Sequence, residues 1–257
     1  MPILAVDVGS TSARAGMFDA AGRCLARAEA GFATARPHPD HAEHSWGEIW
    51  RAVCVATSAA LAAWGGKPAE VAGLAFDATC SLAVFDRAGQ PVSVSTTGDD
   101  AWSVVMWADH RATVEAAEIT ATGHRALRHV GGVMSPEMQL PKLLWLKRHL
   151  PASWARLALA LDLADALAWR ATGRIAVSAC TVGCKWAYLN HADPGWQPDL
   201  LDAIGLADLP ARASLPARAQ PIGAPAGPLT AEAAAELGLT TACMVGIGLI
   251  DAHAGGL

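Results

Sequence analysis

Residues 3–18 have the sequence ILAVDVGSTSARAGMF, in which two short apolar runs flank a turn of glycine and hydroxyl residues. The first run, Ile3–Val8, predicts a strand, and residues 13–18 predict a second one. Another turn at residues 19–22 precedes a third predicted strand at residues 23–32. Because tight turns join antiparallel strands, whereas parallel strands need a long crossover, this stretch predicts an antiparallel meander.

The rest of the chain adds helices and strands in an order typical of an α/β domain. Ser45 and Glu48 predict a capping box for a helix that ends near Trp64, before two glycines. Further strands are predicted at residues 71–76, 81–85 and 243–250, and further helices at residues 111–122, 137–149, 163–172 and 230–237. We therefore expect an α/β fold with a mixed sheet flanked by helices.

Two later segments bear on domain organisation. Residues 206–228 contain five prolines and predict a linker or a surface crossing. At the end of the chain a buried strand leads into a Gly-Gly turn, which normally feeds a further element. We expect residues 1–257 to form one domain, the N-terminal part of a longer protein, with a natural terminus on an edge strand as the alternative.

Composition excludes several classes of protein. A chain that is 53% hydrophobic and 17% charged is too apolar to be intrinsically disordered. With 19 basic and 24 acidic residues, the net charge of -5 offers no electrostatic footprint for nucleic acid. No stretch approaches the roughly 20 consecutive apolar residues that cross a bilayer, and the start lacks a signal peptide. Six cysteines without paired spacing fit a reducing compartment, so we expect a cytoplasmic protein.

The first candidate site lies where the first strand ends. Asp7 immediately precedes a turn that can direct backbone N–H groups at an anion, and glycine permits close approach. A carboxylate at this point can hold Mg²⁺, which prefers carboxylate, water and phosphate oxygens. The pattern suits a phosphate site at Gly9, Ser10, Thr11 and Ser12. An ordinary hairpin turn with a solvated aspartate remains the alternative.

The second candidate is Asp251, which follows the last apolar strand in the sequence DAHAGG. A carboxylate there can accept a proton from a substrate hydroxyl as its oxygen attacks phosphorus, which contributes about 10²–10⁴ in rate. The alternative, that Asp251 caps a helix starting at Ala252, is compatible with this role. The chain contains no complete dinucleotide fingerprint, no P-loop motif and no nucleophile elbow.

Three polar clusters lie between the two acids. Their candidate residues are Thr79, Cys80, Trp107, Asp109, Arg111 and Glu137. An aromatic ring that stacks on C–H faces, together with charged groups that bind hydroxyls, suits a polyhydroxylated ligand. Taken singly, Trp107 is more often a core residue, Arg111 a surface charge and Glu137 a glutamate that compensates a helix dipole.

Two weaker candidates concern metals. Residues 40–44, DHAEH, contain ligand types, but they lie in a proline-flanked loop, for which a solvated loop is the favoured interpretation. Cys180 and Cys184 lack a second pair at zinc-site spacing, so we expect them to be small buried residues.

Taken in order, the motifs resemble the N-terminal domain of FGGY-type carbohydrate kinases over essentially the whole chain. They are AVDVGSTSAR (5–14), FDATCSL (76–82), WADHRA (107–112), SPEM (135–138), PKLLW (141–145), DALAWRATG (165–173), CKW (184–186) and DAHAGG (251–256). The TCSL element is similar to the ribulose and ribitol branch of the family rather than to the glycerol or xylulose branches.

The resemblance implies a ribonuclease-H-like domain of the actin and sugar-kinase superfamily. It implies that the turn at residues 9–12 holds the phosphates of ATP, that Asp7 lies close to Mg²⁺ and that Asp251 is the general base. The residues that the resemblance assigns to the sugar pocket are Thr79, Cys80, Trp107, Asp109, Arg111, Glu137 and Asp251.

The implied activity is ATP-dependent phosphorylation of a pentulose, D-ribulose foremost, at a terminal hydroxyl. Ribitol, L-ribulose and other polyols are alternative substrates, and a non-catalytic sugar-binding module is an alternative from another class. The family's second domain, which supplies most of the adenosine site, is not in this sequence. We therefore expect the chain alone to be a poor kinase, because phosphoryl transfer depends on positioning and on excluding water. A homodimer is left open.

Overall fold

The first three strands form the predicted antiparallel meander in the computed structural model, which describes residues 1–257. They are β1 (Ile3–Val8), β2 (Ser12–Phe18) and β3 (Cys24–Gly31). Along β1, buried residues alternate with partly exposed ones, so that one face of the strand contacts the core and the other carries Asp7. The period-two pattern thus fixes the side of the sheet on which this carboxylate lies.

A seven-stranded mixed sheet is built outward from this meander. Its order is β10-β11-β6-β1-β2-β3, and β12 also pairs with β6. The added strands are β6 (Gly73–Ala78), β10 (Pro225–Pro228), β11 (Met244–Gly246) and β12 (Leu249–Ile250). The strands β1, β11 and β12 all run parallel to β6, and their carboxyl ends therefore lie at one edge of the sheet.

A second, five-stranded sheet has the order β4-β5-β8-β7-β9. Its strands are β4 (Thr34–Ala35), β5 (Glu43–Ser45), β7 (Leu82–Phe85), β8 (Trp102–Val105) and β9 (Leu159–Asp162). The predicted strand at residues 81–85 is therefore present, but it belongs to this sheet. The sequence predicts a single mixed sheet, and this prediction lacks the other four strands, β4, β5, β8 and β9, which are only two to four residues long.

Helix α1 (Trp46–Trp64) covers one face of the larger sheet and has the predicted bounds. The Ser45 hydroxyl accepts from the Glu48 amide at 3.3 Å, and Gly65 ends the helix with a left-handed φ of 73°. The Glu48 carboxylate accepts from the Ala33 amide instead of returning to Ser45, so only half of the predicted capping box forms.

The remaining helices pack around the two sheets. They are α2 (Thr113–Ala121), α3 (Gln139–His149), α4 (Pro151–Arg156), α5 (Leu163–Thr172), α6 (Ala179–Lys185), α7 (Pro198–Ala203), α8 (Leu209–Arg212), α9 (Ala231–Leu237) and α10 (Asp251–Ala254), with 3₁₀ turns at Pro68–Glu70 and Arg125–Val130. None of them combines the length and the hydropathy that crossing a bilayer requires.

Three predictions about secondary structure need correction. Helix α3 begins at Gln139, so Glu137 precedes the helix and does not lie in its first turn. Residues 206–228 are not a plain linker, because Leu206 and Leu209 are fully buried and the segment ends in β10. The predicted strand at residues 243–250 is divided into β11 and β12 by Ile247 and Gly248.

Candidate active site

Three aspartates lie together at the carboxyl edge of the larger sheet. Asp7 of β1 is the register partner of Asp77 of β6, and Leu249 of β12 pairs with Asp77 from the other side. Asp251 follows two residues after Leu249, as the first residue of α10. The parallel pairing thus brings together two acids that are 244 positions apart in the sequence, at the edge where ligands of open α/β sheets bind.

A glycine lets the strand that carries Asp251 approach so closely. A Cβ atom at Gly248 would lie 2.1 Å from the Phe76 carbonyl oxygen, a distance no side chain can occupy. The Ser178 hydroxyl donates to the Gly248 carbonyl at 2.7 Å and holds the chain from the other side. The position of Asp251 therefore depends on a backbone contact that only glycine permits.

The aspartates line a cavity of about 740 Å³, a volume ordinary for a small-molecule site. Its walls are formed by Asp7, Ser10, Arg14, Asp77, Thr79, Cys80, Trp107, Glu137, Cys184, Lys185 and residues 250–255. Asp7, Ser10, Thr79, Cys80, Trp107, Glu137 and Asp251 were expected from the sequence to contact ligands. The structure therefore places most of the expected pocket in one cavity.

The electrostatics of the cavity are dominated by its carboxylates. Burial, the Asp7 carboxylate and, more weakly, Asp251 raise the pKa of Asp77 to about 7. Burial also raises the pKa of Asp251, and the nearby Asp7 adds to this effect. The guanidinium of Arg14 lies 3.2 Å from Asp7 Oδ2 and is half exposed, so it balances only part of the negative charge.

The donors around Asp7 fit a hard cation. Asp7 Oδ1 is buried and has no hydrogen-bond partner, although a buried carboxylate oxygen normally has one. Carboxylate oxygens in a cluster of negative charge are the ligands that Mg²⁺ prefers. The geometry therefore agrees with a metal bound by Asp7, and it adds Asp77 and Asp251 as neighbouring acids.

The turn after β1 leaves two backbone amides without a protein acceptor. The Gly9 amide donates to the Ser12 carbonyl at 3.0 Å, whereas the amides of Ser10 and Thr11 donate to no protein acceptor. Adjacent free N–H groups in such a turn make an anion-binding concavity. Of the four predicted phosphate residues, Ser10 lines the cavity, and Gly9, Thr11 and Ser12 lie beside it.

Trp107 and Glu137 also line the cavity. The Trp107 amide donates to Ser81 Oγ at 3.0 Å, and Lys142 donates to the Trp107 carbonyl at 3.1 Å. Lys142 is fully buried, and this burial lowers its pKa to about 8. Glu137 Oε1 lies 3.1 Å from His110 Nε2. The backbone of Trp107 and the side chain of Glu137 are therefore held in place by residues outside the cavity lining.

Two residues assigned to the sugar pocket lie elsewhere. Asp109 and Arg111 are buried behind the cavity wall, where Arg111 binds both Asp109 oxygens at 2.8 Å. Its Nη2 atom also donates to Glu43 Oε1 at 2.9 Å, and the guanidinium covers the Trp145 ring at 4.9 Å. The two side chains bind each other and the core, so direct contact with a ligand in the cavity is not available to them.

The DHAEH segment is also different from its expected form. Glu43 and His44 belong to β5 and are fully buried rather than solvated, because Glu43 binds Arg111 from a position 68 residues away. Burial lowers the pKa of His44 to about 4, so the ring is neutral in the core. Within the segment only Asp40 matches the expectation of a solvated loop, since it is exposed, whereas His41 is buried.

Five residues with polar side chains line the cavity but were not assigned to the site from the sequence: Asp77, Arg14, Lys185, Cys184 and His253. Asp77 carried a usable signal, because it follows an apolar strand just as Asp7 does. The two cysteines of α6 are half-buried rather than fully buried, and Cys180 Sγ lies 2.9 Å from His253 Nδ1. Nothing in the local sequence indicates that α6 meets the start of α10.

A mixed α/β fold, with a carboxylate cluster beside a glycine-hydroxyl turn and a polar cavity, is typical of enzymes that transfer phosphoryl groups to hydroxylated substrates. The chain belongs to the FGGY family of carbohydrate kinases, since residues 2–257 match the model of the family's N-terminal domain. The expected family is thereby confirmed.

Individual relatives agree with this assignment. An FGGY carbohydrate kinase domain-containing protein of Danio rerio is 46% identical over 98% of this chain and 46% of its own length. The D-ribulokinase of Saccharomyces cerevisiae is 37% identical over 97% of this chain and 37% of its own length. The chain thus spans less than half of the length of these relatives.

Solved structures confirm the fold. Xylulose kinase from Rhodospirillum rubrum matches with a TM-score of 0.83 at 22% identity, covering 100% of this chain and 50% of that one. Glycerol kinase from Plasmodium falciparum with ADP matches with a TM-score of 0.78 at 12% identity, covering 98% of this chain and 48% of that one. The sugar-kinase fold expected from the sequence is therefore present.

Proposed function

We propose that this chain is the sugar-binding and catalytic domain of a kinase that transfers the γ-phosphoryl group of ATP to a terminal hydroxyl of a pentulose, D-ribulose foremost. The observation that carries the proposal is the convergence of Asp7 and Asp251 on one cavity. The choice of sugar is supported by the likeness to the yeast D-ribulokinase and by the Thr79-Cys80-Ser81-Leu82 element.

Asp251 is the proposed general base. Burial raises the pKa of Asp251, which makes it a stronger base than an ordinary carboxylate. When the terminal hydroxyl of the sugar lies against this carboxylate, its proton passes to Asp251 as the oxygen attacks the γ-phosphorus. The attacking oxygen forms the new bond to phosphorus, and ADP leaves with the electrons of the bond that breaks.

In this proposal, the turn at residues 9–12 binds the phosphates and Asp7 binds the metal. The free amides of Ser10 and Thr11 support binding of phosphate oxygens. Asp7, with its unpartnered buried oxygen, would hold Mg²⁺, with Asp77 beside it. Bound there, the metal supplies positive charge that offsets the charge on the phosphates.

The sugar side falls to Cys80, Trp107, Glu137 and Lys185. A tryptophan ring offers a face for the C–H groups of the sugar, and Glu137 and Lys185 offer an acceptor and a donor for its hydroxyls. Asp109 contributes indirectly, since its Oδ2 accepts from the Ala42 amide, and the Ala42 carbonyl accepts from the amide of Met106, the neighbour of Trp107. Arg111 in turn binds Asp109.

The experiment that tests this function is the substitution Asp251→Asn in the complete protein. ADP release is measured with a panel of D-ribulose, L-ribulose, ribitol and D-xylulose. For the preferred sugar we expect kcat to fall about 10²- to 10⁴-fold, because the base is lost while the amide keeps its shape. The Kd for the sugar should change by less than about threefold.

The matched control is Asp202→Asn, since Asp202 is exposed on α7 and outside the cavity. This variant should keep wild-type kcat. Near-normal turnover in Asp251→Asn would remove Asp251 from the role of base. If D-ribulose bound without any phosphorylation in the wild type, the chain would be a sugar-binding module and the kinase proposal would be wrong.

We further propose that the second half of the family's architecture is required for turnover. The cavity-lining residues Ala252, His253 and Gly255 are exposed in residues 1–257, and a site open to water is poorly suited to phosphoryl transfer. Turnover of D-ribulose by purified residues 1–257 at the rate of the complete protein would contradict this.

A further inference from the structure

One hydrogen bond joins the proposed sugar wall to the proposed phosphate turn. The indole Nε1 of Trp107 donates to Ser10 Oγ at 3.0 Å, between residues that are 97 positions apart. Both side chains line the cavity, and both are partly exposed to it. A ligand that contacts the Trp107 ring and a ligand that contacts Ser10 would therefore each touch one partner of this hydrogen bond.

The direction of this bond follows from chemistry. An indole nitrogen is a donor only, so the Ser10 hydroxyl must be the acceptor. The Ser10 hydroxyl proton consequently points away from Trp107 and is free to be donated elsewhere. Thr34 Oγ1 binds the backbone carbonyl of Ser10 and does not compete for this hydroxyl. Trp107 thus orients the Ser10 O–H for another acceptor.

The ring of Trp107 is the part of this residue that is free to respond to a ligand. Its amide is bound to Ser81 Oγ, and its carbonyl is bound to Lys142. Lys142 Nζ also donates to the Met106 carbonyl at 2.9 Å and is itself fully buried. With the backbone fixed at both sides, a ligand that presses on the ring changes its side-chain position, and this change reaches Ser10 directly.

We propose that Trp107 is a positioning residue that couples sugar binding to phosphate binding through Ser10. A sugar packed on the ring holds the indole N–H against Ser10 Oγ, and the serine hydroxyl then donates to a phosphate oxygen of the nucleotide. Each ligand consequently binds more tightly when the other is present. The inference rests on the proposed function, since it assigns the two ligands to the two ends of the bond.

The size of the effect is set by one neutral hydrogen bond. Such a bond contributes a factor of about two to ten in an equilibrium constant. We expect the nucleotide to tighten sugar binding through this route by a factor in that range. Because coupling is reciprocal, D-ribulose should tighten nucleotide binding by the same factor.

The test measures binding, without turnover, by calorimetry on the complete protein. The Kd of D-ribulose is determined with and without the unreactive ATP analogue AMP-PNP and Mg²⁺, in the wild type and in Trp107→Phe, Ser10→Ala and the double variant. Trp107→Phe keeps an aromatic face but lacks the indole N–H. Ser10→Ala removes the acceptor in an exposed turn and guards against misfolding of the tryptophan variant.

The matched control is Trp50→Phe, which removes an indole hydrogen bond of the same kind outside the cavity. Trp50 Nε1 donates to Glu236 Oε2 at 2.8 Å. We expect this variant to keep the wild-type coupling. Each of the two test variants should lower the coupling about two- to tenfold, and the double variant should lower it no further, because both remove one bond.

The inference is overturned if Trp107→Phe and Ser10→Ala keep the wild-type coupling, or if their losses add. A merely structural role for Trp107 predicts weaker binding of the sugar alone with coupling intact, which also overturns it. Turnover of D-ribulose by the wild type is measured separately. A protein that phosphorylates D-ribulose without coupling contradicts this inference and leaves the proposed function standing, whereas coupled binding without turnover contradicts the proposed function alone.

Discussion

Arg111 offers a sharp test of which residues serve the cavity and which serve the core. Its guanidinium is fully buried and donates to Asp109, to Glu43 and to the Val94 carbonyl. Replacing it in Arg111→Met leaves two carboxylates buried without a cation. Removing one partner of a buried ion pair costs about 3–5 kcal/mol, because the remaining charge stays desolvated.

The loss of stability in Arg111→Met should lie at the upper end of this range, since Glu43 Oε2 already has no hydrogen-bond partner. For a domain of this size, a loss of about 3–5 kcal/mol lowers the unfolding temperature by about 10 °C. The assay is urea and thermal unfolding followed by circular dichroism, together with the Kd of D-ribulose measured below the transition. We expect a large loss of stability and a change in Kd of less than about threefold.

An exposed ion pair provides the control for this measurement. Arg156 binds Asp100 through two nitrogens at 2.9 and 3.0 Å, with both side chains nearly half exposed. Arg156→Met should cost below about 1 kcal/mol. Wild-type stability of Arg111→Met would refute the reasoning. A more than tenfold loss of sugar affinity in Arg111→Met would also refute it, since that result would return Arg111 to the pocket.

Two further predictions concern the strand ends at the cavity. Because the pKa of Asp77 is raised to about 7 in the folded chain, the folded state binds this proton more tightly than the unfolded state does. Ionisation of Asp77 therefore lowers the free energy of unfolding as the pH rises from about 4 to about 7. In urea unfolding, the difference in stability between Asp77→Asn and the wild type should therefore grow in favour of the variant from pH 5 to pH 8. A difference that stays constant over this range would contradict the prediction. Because Asp162 and Asp165 are buried in both proteins, their own contributions to the pH dependence cancel in this difference. The second variant, Gly248→Ala, should lower kcat about 10²-fold, because the added Cβ displaces Asp251. The control Gly47→Ala should keep wild-type kcat, since its added Cβ would approach only Ser45 Oγ, at 3.8 Å. Wild-type kcat in Gly248→Ala would refute the argument that only glycine fits at this position.

Local sequence patterns predicted the parts of the fold that depend on neighbouring residues. The meander at residues 3–31 follows from short apolar runs separated by turn residues, and α1 follows from a serine cap, an apolar face and a terminal glycine. The position of Asp7 at the end of a strand was also predicted, because it depends only on the period-two alternation of the strand and on where the strand stops. Each of these signals lies within a few residues of the feature it predicts.

The errors come from contacts between distant segments. Residues 40–44 carry the composition of a solvated loop, and only the arginine 68 positions later makes Glu43 a core residue. Asp109 and Arg111 have the chemistry of a sugar pocket, but each satisfies the other inside the protein. Lys185 and Cys184 enter the cavity because α6 packs against β12, a contact to which no local pattern points.

The carboxylate cluster explains why the strands that carry the site are joined as they are. In a parallel sheet, side chains in register on adjacent strands point to the same face, so an acid on β1 and an acid on β6 must lie side by side. Their repulsion, visible in the raised pKa of Asp77, works against folding and is offset by the core beneath them. A sheet without a function at this edge would gain stability from any neutral residue at Asp77. Uptake of a proton by Asp77 relieves this repulsion, and a cation bound beside the two acids, as proposed above for Mg²⁺, would relieve it as well.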